Sequence, residues 1–300
     1  MTGGRVFVVG SINRDFVLRV EKRPAPGETV TDAELSLHDG GKGANQSAAA
    51  AKLGAEVVFL GRVGDDDLGG PLVDALRGQG VDVGLVRESL GVASGAAFIT
   101  VTPDGENAIT VAPGANRSLT PRDVDAVREA IRASDVLVAQ MEVPVEVVER
   151  ASEVAVAEGT RVILNLAPPR EVPASLLEKL DPLVVNEHEA AFLLDEKVEG
   201  IEKARSAASK LLSLGPRSAV VTLGSAGAVF ATVDDAGHQP APPVEVVDTT
   251  GAGDAFVGAL AARLAAGDGL EDAVAYAVKA GAAAVRSVGA QGALPTPDMI

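Results

Sequence analysis

The chain has no cysteine, no tryptophan, one tyrosine and three histidines in 300 residues. Without cysteine, disulfides, thiolate zinc sites, iron–sulfur clusters and cysteine nucleophiles are excluded. His38, His188 and His238 are isolated from one another, so no histidine zinc site is expected either. Basic residues are also scarce: 26 Lys and Arg stand against 42 Asp and Glu, a formal charge of −16. So acidic a chain lacks the basic patches that displace counterions from nucleic acid or anionic lipid, and neither is an expected partner. Long apolar runs are missing as well. The run at 6–9 is far shorter than a signal-peptide core. The apolar stretch 251–290 is cut by Asp254, Arg263, Asp268, Glu271, Asp272, Lys279 and Arg286, so it reads as a pair of core helices and not as a membrane span. A cytoplasmic location is expected.

What the chain does have is 47% hydrophobic and 23% charged residues, enough to bury a large core. Short β-branched runs at 6–9, 57–60, 136–138, 162–164, 183–185 and 219–222 alternate with apolar residues at helical spacing in 45–53, 70–76, 124–131, 145–156 and 202–212. That alternation predicts an α/β fold: a mostly parallel central sheet with helices on both faces, Rossmann-like in three layers. Gly54, Gly80 and Gly159 sit where helix C-caps belong. Two segments break the rhythm. Residues 14–40 hold Pro24, Pro26 and Gly27 and then the alternating Glu28-Thr29-Val30-Thr31. Residues 95–114 read as a β-hairpin, 97–101 and 108–111 around a turn at 103–107. The expectation is one domain over 1–300, with these two segments forming a small β lid beside the sheet.

Two motifs carry the chemistry. In Asp248-Thr249-Thr250-Gly251-Ala252-Gly253-Asp254, small residues precede an Ala-rich helix. Several backbone N–H groups can then point at one spot, and the positive end of the helix dipole adds to them, which makes an anion cradle. Asp254 at the helix start could simply be a cap. The contradiction is that a site shaped for an anion also holds an acid, and a carboxylate beside a bound phosphate can take the proton of an incoming hydroxyl. The second motif is Gly40-Gly41-Lys42-Gly43-Ala44-Asn45-Gln46, at the start of another helix. It is not a P-loop, because Gly43 and Leu37 stand where Ser or Thr and Gly are required. Its glycines allow close approach of a polyhydroxy ligand, and Asn45 offers both donor and acceptor to vicinal hydroxyls.

These two motifs, about 200 residues apart, resemble the paired signatures of the ribokinase-like (PfkB) carbohydrate kinase family. The first continues through Ser47, Gly54 and Gly64, the second through Gly258 and Ala259. Further landmarks fall in order: Gly10-Ser11-Ile12-Asn13-Arg14-Asp15, Met141-Glu142-Val143-Pro144, Asn186-Glu187-His188-Glu189 and Thr222-Leu223-Gly224-Ser225-Ala226-Gly227. The resemblance covers the whole chain. It implies ATP-dependent phosphorylation of a sugar hydroxyl, with O5 of D-ribose as the acceptor. Asn13, Asp15, Gly41, Lys42, Asn45 and Glu142 would form the substrate site together with Asp254. Asp254 would be the general base, and the amides of Gly251, Ala252, Gly253 and Asp254 the anion hole. Asn186, Thr222, Gly224, Ser225, Gly227 and Gly253 would serve the nucleotide. Mg²⁺ would come with ATP, with Asn186 and Glu189, read as i and i+3 on one helical face, reaching it through water. A monovalent cation, K⁺ by family habit, would lie on Asp248, Thr250, Ala284, Ser287 and Gly289. Exposed lid edges invite pairing with a second lid, so a homodimer through the lid is expected. Fructose, deoxyribose, a keto-deoxy sugar acid or a nucleoside remain alternative substrates, and a non-catalytic sugar or nucleotide sensor is the alternative of another class. Around Val278 the chain is apolar where the family often places a polar group near adenine.

Overall fold

The computed structural model describes residues 3–104 and 106–300. An eight-stranded sheet runs in the spatial order Ala236–Gln239, Ala228–Thr232, Ser218–Thr222, Leu183–Asn186, Arg161–Asn165, Val136–Gln140, Arg5–Val9, Glu56–Leu60. The last six are mutually parallel, and the first two are added by antiparallel pairing. Parallel neighbours need crossover connections, and the helices that provide them cover both faces. In Arg5–Val9, Val6 and Val8 pack into one apolar cluster while Phe7 and Val9 pack into the other. That is the two-residue period of a strand buried on both sides. The expected α/β fold with a mostly parallel sheet is therefore the fold of this chain.

Chain order and spatial order part at Arg5–Val9, whose neighbours are Glu56–Leu60 on one side and Val136–Gln140 on the other. Connections leaving such a point in opposite directions open a crevice at the carboxyl ends of the strands. Gly10, Gln140, Asn165, Asn186 and Thr222 all lie at those ends. On one face the helices Lys42–Lys52 and Ala252–Ala265 pack together. A Cβ on Gly258 would meet the Gln46 carbonyl oxygen at 2.6 Å and the Ala49 Cβ at 2.5 Å. The two backbones approach so closely that only glycine fits there.

A separate four-stranded sheet has the order Glu34–Gly40, Asn13–Arg19, Gly95–Val101, Asn107–Ala112. Asn13–Arg19 and Gly95–Val101 pair in parallel, and the Phe16 and Phe98 rings stack with centroids 5.1 Å apart. Gly105, inside the expected 103–107 turn, lies outside the described residues, as do Met1 and Thr2. Two local stretches depart from what their patterns alone suggest. The alternating 28–31 stretch is not a strand: Glu28 turns back to accept from the Ala25 N–H at 3.0 Å and to pair with Lys22, and regular pairing begins only at Glu34. The helical spacing at 124–131 belongs to two short helices, Pro121–Asp125 and Arg128–Arg132, broken at Val127. The spacing survives the break because Val124, Val127 and Ile131 are all buried. No helix among the described residues is long and apolar enough to cross a membrane.

Candidate active site

Gly251 caps the Ala252–Ala265 helix with φ +78°, and a Cβ there would come within 2.8 Å of the Ala290 Cα. Glycine thus serves both the left-handed turn and the close approach of the C-terminal segment. The Ala252 N–H is directed to Thr249 O at 3.3 Å, which departs from its expected place in the anion hole. The turn that shapes the loop uses this donor, so the amides of Gly253 and Asp254 are the free donors of the first helical turn. The Asp254 carboxylate does not cap its own helix. Its Oδ2 accepts from Asn45 Nδ2 and its Oδ1 from Gln46 Nε2, each at 2.9 Å. The simple-cap explanation for this acid is therefore excluded.

Lys42, Asn186, Glu189, Thr222, Gly251, Gly253 and Asp254 line one cavity of about 130 Å³, room for a few waters or a single phosphoryl group. Asp254 raises the Lys42 ammonium pKa most strongly, with Glu142, Glu189 and Asp15 adding to it against the opposing effect of burial. Burial pushes the Glu189 carboxyl up, partly offset by the Asn186 N–H and by Lys42. Asn186 and Glu189 are not two positions on one helical face, contrary to expectation. Asn186 ends a strand and is the N-cap of Glu187–Leu194, and the two side chains form a reciprocal capping box. The i,i+3 spacing is the signature of that cap, and both residues still reach the cavity.

Beside it lies an acidic corner. Asp15 sits over Gly40, whose missing side chain makes room for its carboxylate. Its pKa is raised to about 7, first by burial and then by the negative charges of Glu142, Asp254 and Asp39, with Arg14 pulling the other way. Glu142 Oε2 accepts from Ser11 Oγ at 2.5 Å and from the Lys42 N–H at 3.0 Å. Asn13 is buried, and its Oδ1 accepts from Asn116 Nδ2 at 2.7 Å. Gly41 is the N-cap of the Lys42–Lys52 helix. Asn45 has already engaged Asp254 on one side and accepts from Gln291 on the other, so only part of its amide remains for a ligand.

Gly224 and Ser225 lie exposed in a short 3-10 turn after Ser218–Thr222, and Gly227 is buried behind it. None of the three lines the 130 Å³ cavity. Asp248 Oδ1 accepts from the N–H and hydroxyl of Thr250, and Oδ2 from the Gly289 N–H. Burial works against ionisation of this group, but those hydrogen bonds outweigh it and its pKa is lowered. The 247–250 segment and the loop after Ala284 are thereby joined, with Val247 and Asp248 N–H both donating to Val285 O. Ser287 is exposed in that loop.

Sequence reasoning assigned no role to Ser11, Gln46, Asn116, Gln140, Asn165 or Gln291, yet Ser11, Gln46, Asn116 and Gln291 each hold a site residue, and Gln140 and Asn165 hold Gln46. Gln140 and Asn165 had a readable signal: each is a polar residue that follows a buried apolar run at the carboxyl end of its strand. Nothing local marks Asn116, which reaches back 104 residues to Ile12.

Residues 4–297 match the profile described as pfkB family carbohydrate kinase. The chain is 39% identical over 298 residues to a bifunctional ribokinase/ribose-5-phosphate isomerase A of Fructilactobacillus sanfranciscensis; 99% of this chain is covered, and it spans 55% of that relative's length. It is 38% identical over 294 residues to a ribokinase of Staphylococcus aureus, covering 97% of this chain and 96% of that protein. Among solved structures, Arabidopsis thaliana ribokinase complexed with ribose and ATP superposes with a TM-score of 0.92 at 32% identity, covering 99% of this chain and 97% of that one.

Proposed function

Since the chain belongs to the pfkB family of carbohydrate kinases and is a phosphotransferase acting on a sugar hydroxyl, we propose that it transfers the γ-phosphoryl group of ATP to O5 of D-ribose. The observation that carries this reading is Asp254: a buried carboxylate at the mouth of an anion-binding helix, held by two side-chain amides and not by its own helix. In that position it accepts the O5 proton as the oxygen attacks, while the Gly253 and Asp254 amides receive the phosphoryl oxygens. Asn13, Asp15, Gly41 and Glu142, with the remaining capacity of Asn45, hold the ribose hydroxyls. An acid aimed at a hydroxyl discriminates against the deoxy sugar, which would leave the buried acceptor unpaired.

Lys42 faces the cavity and neutralises nucleotide phosphate as a point charge. Thr222, Gly224, Ser225 and Gly227 carry the nucleotide onward. Among the described residues no cluster of three or more Asp, Glu or His is placed to hold a metal ion directly. Glu189 and Asn186 fit a Mg²⁺ reached through water, a hard cation that keeps its hydration; when bound with the nucleotide it supplies charge neutralisation on the phosphates. A monovalent cation such as K⁺ would take its oxygens from the Asp248 carboxylate, which ties Thr250 to Gly289, and from the carbonyls of Thr250 and of the 284–289 loop. The four-stranded sheet acts as the lid. Its exposed Leu35, Leu37, Ile109 and Val111 support pairing with a second copy through the lid.

The test is a coupled ADP-release assay with Mg·ATP over ribose, deoxyribose, fructose and adenosine, with and without K⁺. Ribose should have the highest kcat/KM; fructose or adenosine matching it would sink the ribose assignment. Asp254→Asn should lower kcat by roughly 10²- to 10⁴-fold with ribose binding retained.

A further inference from the structure

The Asp254 carboxylate is the middle of a buried chain of amides drawn from four separate parts of the sequence. On one side Gln291 Nε2 donates to Asn45 Oδ1 at 3.2 Å, and Asn45 Nδ2 donates to Asp254 Oδ2. On the other, Gln140 Nε2 donates to Gln46 Oε1 at 2.7 Å, and Gln46 Nε2 donates to Asp254 Oδ1. The second hydrogen of Gln46 Nε2 goes to Asn165 Oδ1 at 3.0 Å, and Asn165 Nδ2 donates to Val184 O. Gln46, Gln140, Asn165, Asn45 and Gln291 are all buried.

An amide side chain can turn over, exchanging its oxygen and its nitrogen at little cost in shape. Here the exchange is blocked at Gln46 from two directions. Flipped, its oxygen would face the Asp254 and Asn165 oxygens, and its NH₂ would face the NH₂ of Gln140. Every one of those contacts is repulsive in a dry site. The outer amides maintain this polarity at their own expense: Gln140 Oε1 and Gln291 Oε1 are buried with no hydrogen-bond partner. Buried acceptors are ordinarily satisfied, so a network that leaves both outer oxygens orphaned while every inner donor points at one carboxylate is organised around that carboxylate.

We propose that Gln46 is the positioning residue of the base, a donor whose polarity is set by Gln140 and Asn165 and which fixes the direction of the Asp254 lone pair that meets the substrate hydroxyl. This rests on Asp254 being the base. Gln46 touches no substrate; it acts on the rate through Asp254. The charged groups facing Asp254 are Lys42, Asp15 and Glu189, and the substitutions below leave them unchanged.

The experiment is steady-state kinetics on the full-length protein with ribose and Mg·ATP, comparing wild type, Gln46→Glu, Gln46→Met, Gln140→Met and Asp254→Asn. Gln46→Glu keeps the shape but turns a donor into an acceptor. It should lower kcat about 10- to 100-fold, with ribose KM held within about threefold. The second carboxylate should also move the acid limb of the kcat/KM profile to higher pH. Gln140→Met removes one of the two blocks on Gln46, leaves the Asp254 and Asn165 contacts to hold it, and should therefore cost a smaller factor, about three- to tenfold, again in kcat. Should Gln46→Met fail to fold, the isosteric Gln46→Glu and the remote Gln140→Met decide the matter. Gln46 and Gln140 variants with kcat within twofold of wild type, beside an inactive Asp254→Asn, overturn the inference and leave the base intact. A rise in ribose KM matching the fall in kcat also overturns it, since Gln46 would then be shaping the sugar pocket. Full turnover by Asp254→Asn overturns the reading of the base itself.

Discussion

The acidic corner at Asp15 should make the ligand-free protein less stable near neutral pH than its fold alone would be. Asp15 carries a pKa of about 7 in the folded protein against 3.8 for an ordinary aspartate, through burial first and then the charges of Glu142, Asp254 and Asp39. A native acid that binds its proton more tightly than the unfolded chain adds stability that is complete below the unfolded value and is lost as pH rises through the folded one. The window is therefore pH 4 to 7, and stability falls across it. At 1.36 kcal/mol per unit, a shift of roughly three units sets a ceiling of about 4 kcal/mol. Asp15→Asn keeps the shape and removes the charge, so it should be more stable than wild type above pH 7 and nearly equal to it at pH 4. Between pH 5 and 8 the gap should widen by about 2 to 3 kcal/mol. With an unfolding entropy of about 0.6 kcal/mol per kelvin for 300 residues, that is roughly 4 °C in Tm. The assay is thermal unfolding of both proteins without sugar or nucleotide at several pH values, alongside ribose KM, which should rise in the variant. A Tm difference that does not change with pH, or a variant less stable than wild type at pH 8, would falsify the reasoning.

Lys42→Met removes the cation from a cavity lined with Asp254 and Glu189, and should raise the KM for ATP about tenfold or more while ribose KM moves less; equal effects on both would contradict its assignment to phosphate. Asn116→Ala strands the buried Ile12 N–H and the Asn13 side chain. A loss of about 1 to 3 kcal/mol in denaturant unfolding should accompany a higher ribose KM with ATP KM unchanged. Gly258→Val pushes a side chain into the Gln46 carbonyl and Ala49. It should cost about 1 to 3 kcal/mol by overpacking and should lower kcat by separating the two helices that bring Gln46 to Asp254; unchanged Tm and kcat would mean the helices shift apart freely.

Much of this architecture was legible in the chain. The β-branched runs at 6–9 and 136–138 became buried parallel strands because a strand covered on both faces must be apolar throughout. The Gly-rich stretch before Ala252 became the glycine-capped start of a helix because small residues are what such a turn requires. The Asn186 and Glu189 spacing was legible too, but not its geometry: a capping box produces the same i,i+3 pattern as two positions on one helical face, and only the strand-to-helix junction tells the two apart. The 28–31 alternation stays outside the sheet, since two prolines and a turn just before it allow an extended stretch with no partner strand.

By itself, the sequence determined most of the elements, the parallel character of the sheet, and the residue types available for chemistry, because helix periodicity, strand burial and glycine turns are set by residues close in the chain. Tertiary structure decided how those residues act. Gln46 and Asp254 are 208 positions apart, Gln140 and Gln46 are 94 apart, and no local pattern encodes their meeting. The raised pKa of Asp15 likewise comes from burial and from three carboxylates brought in by folding. Hydrogen bonding and electrostatics depend on distance in space, whereas the patterns legible in a sequence depend on distance along the chain.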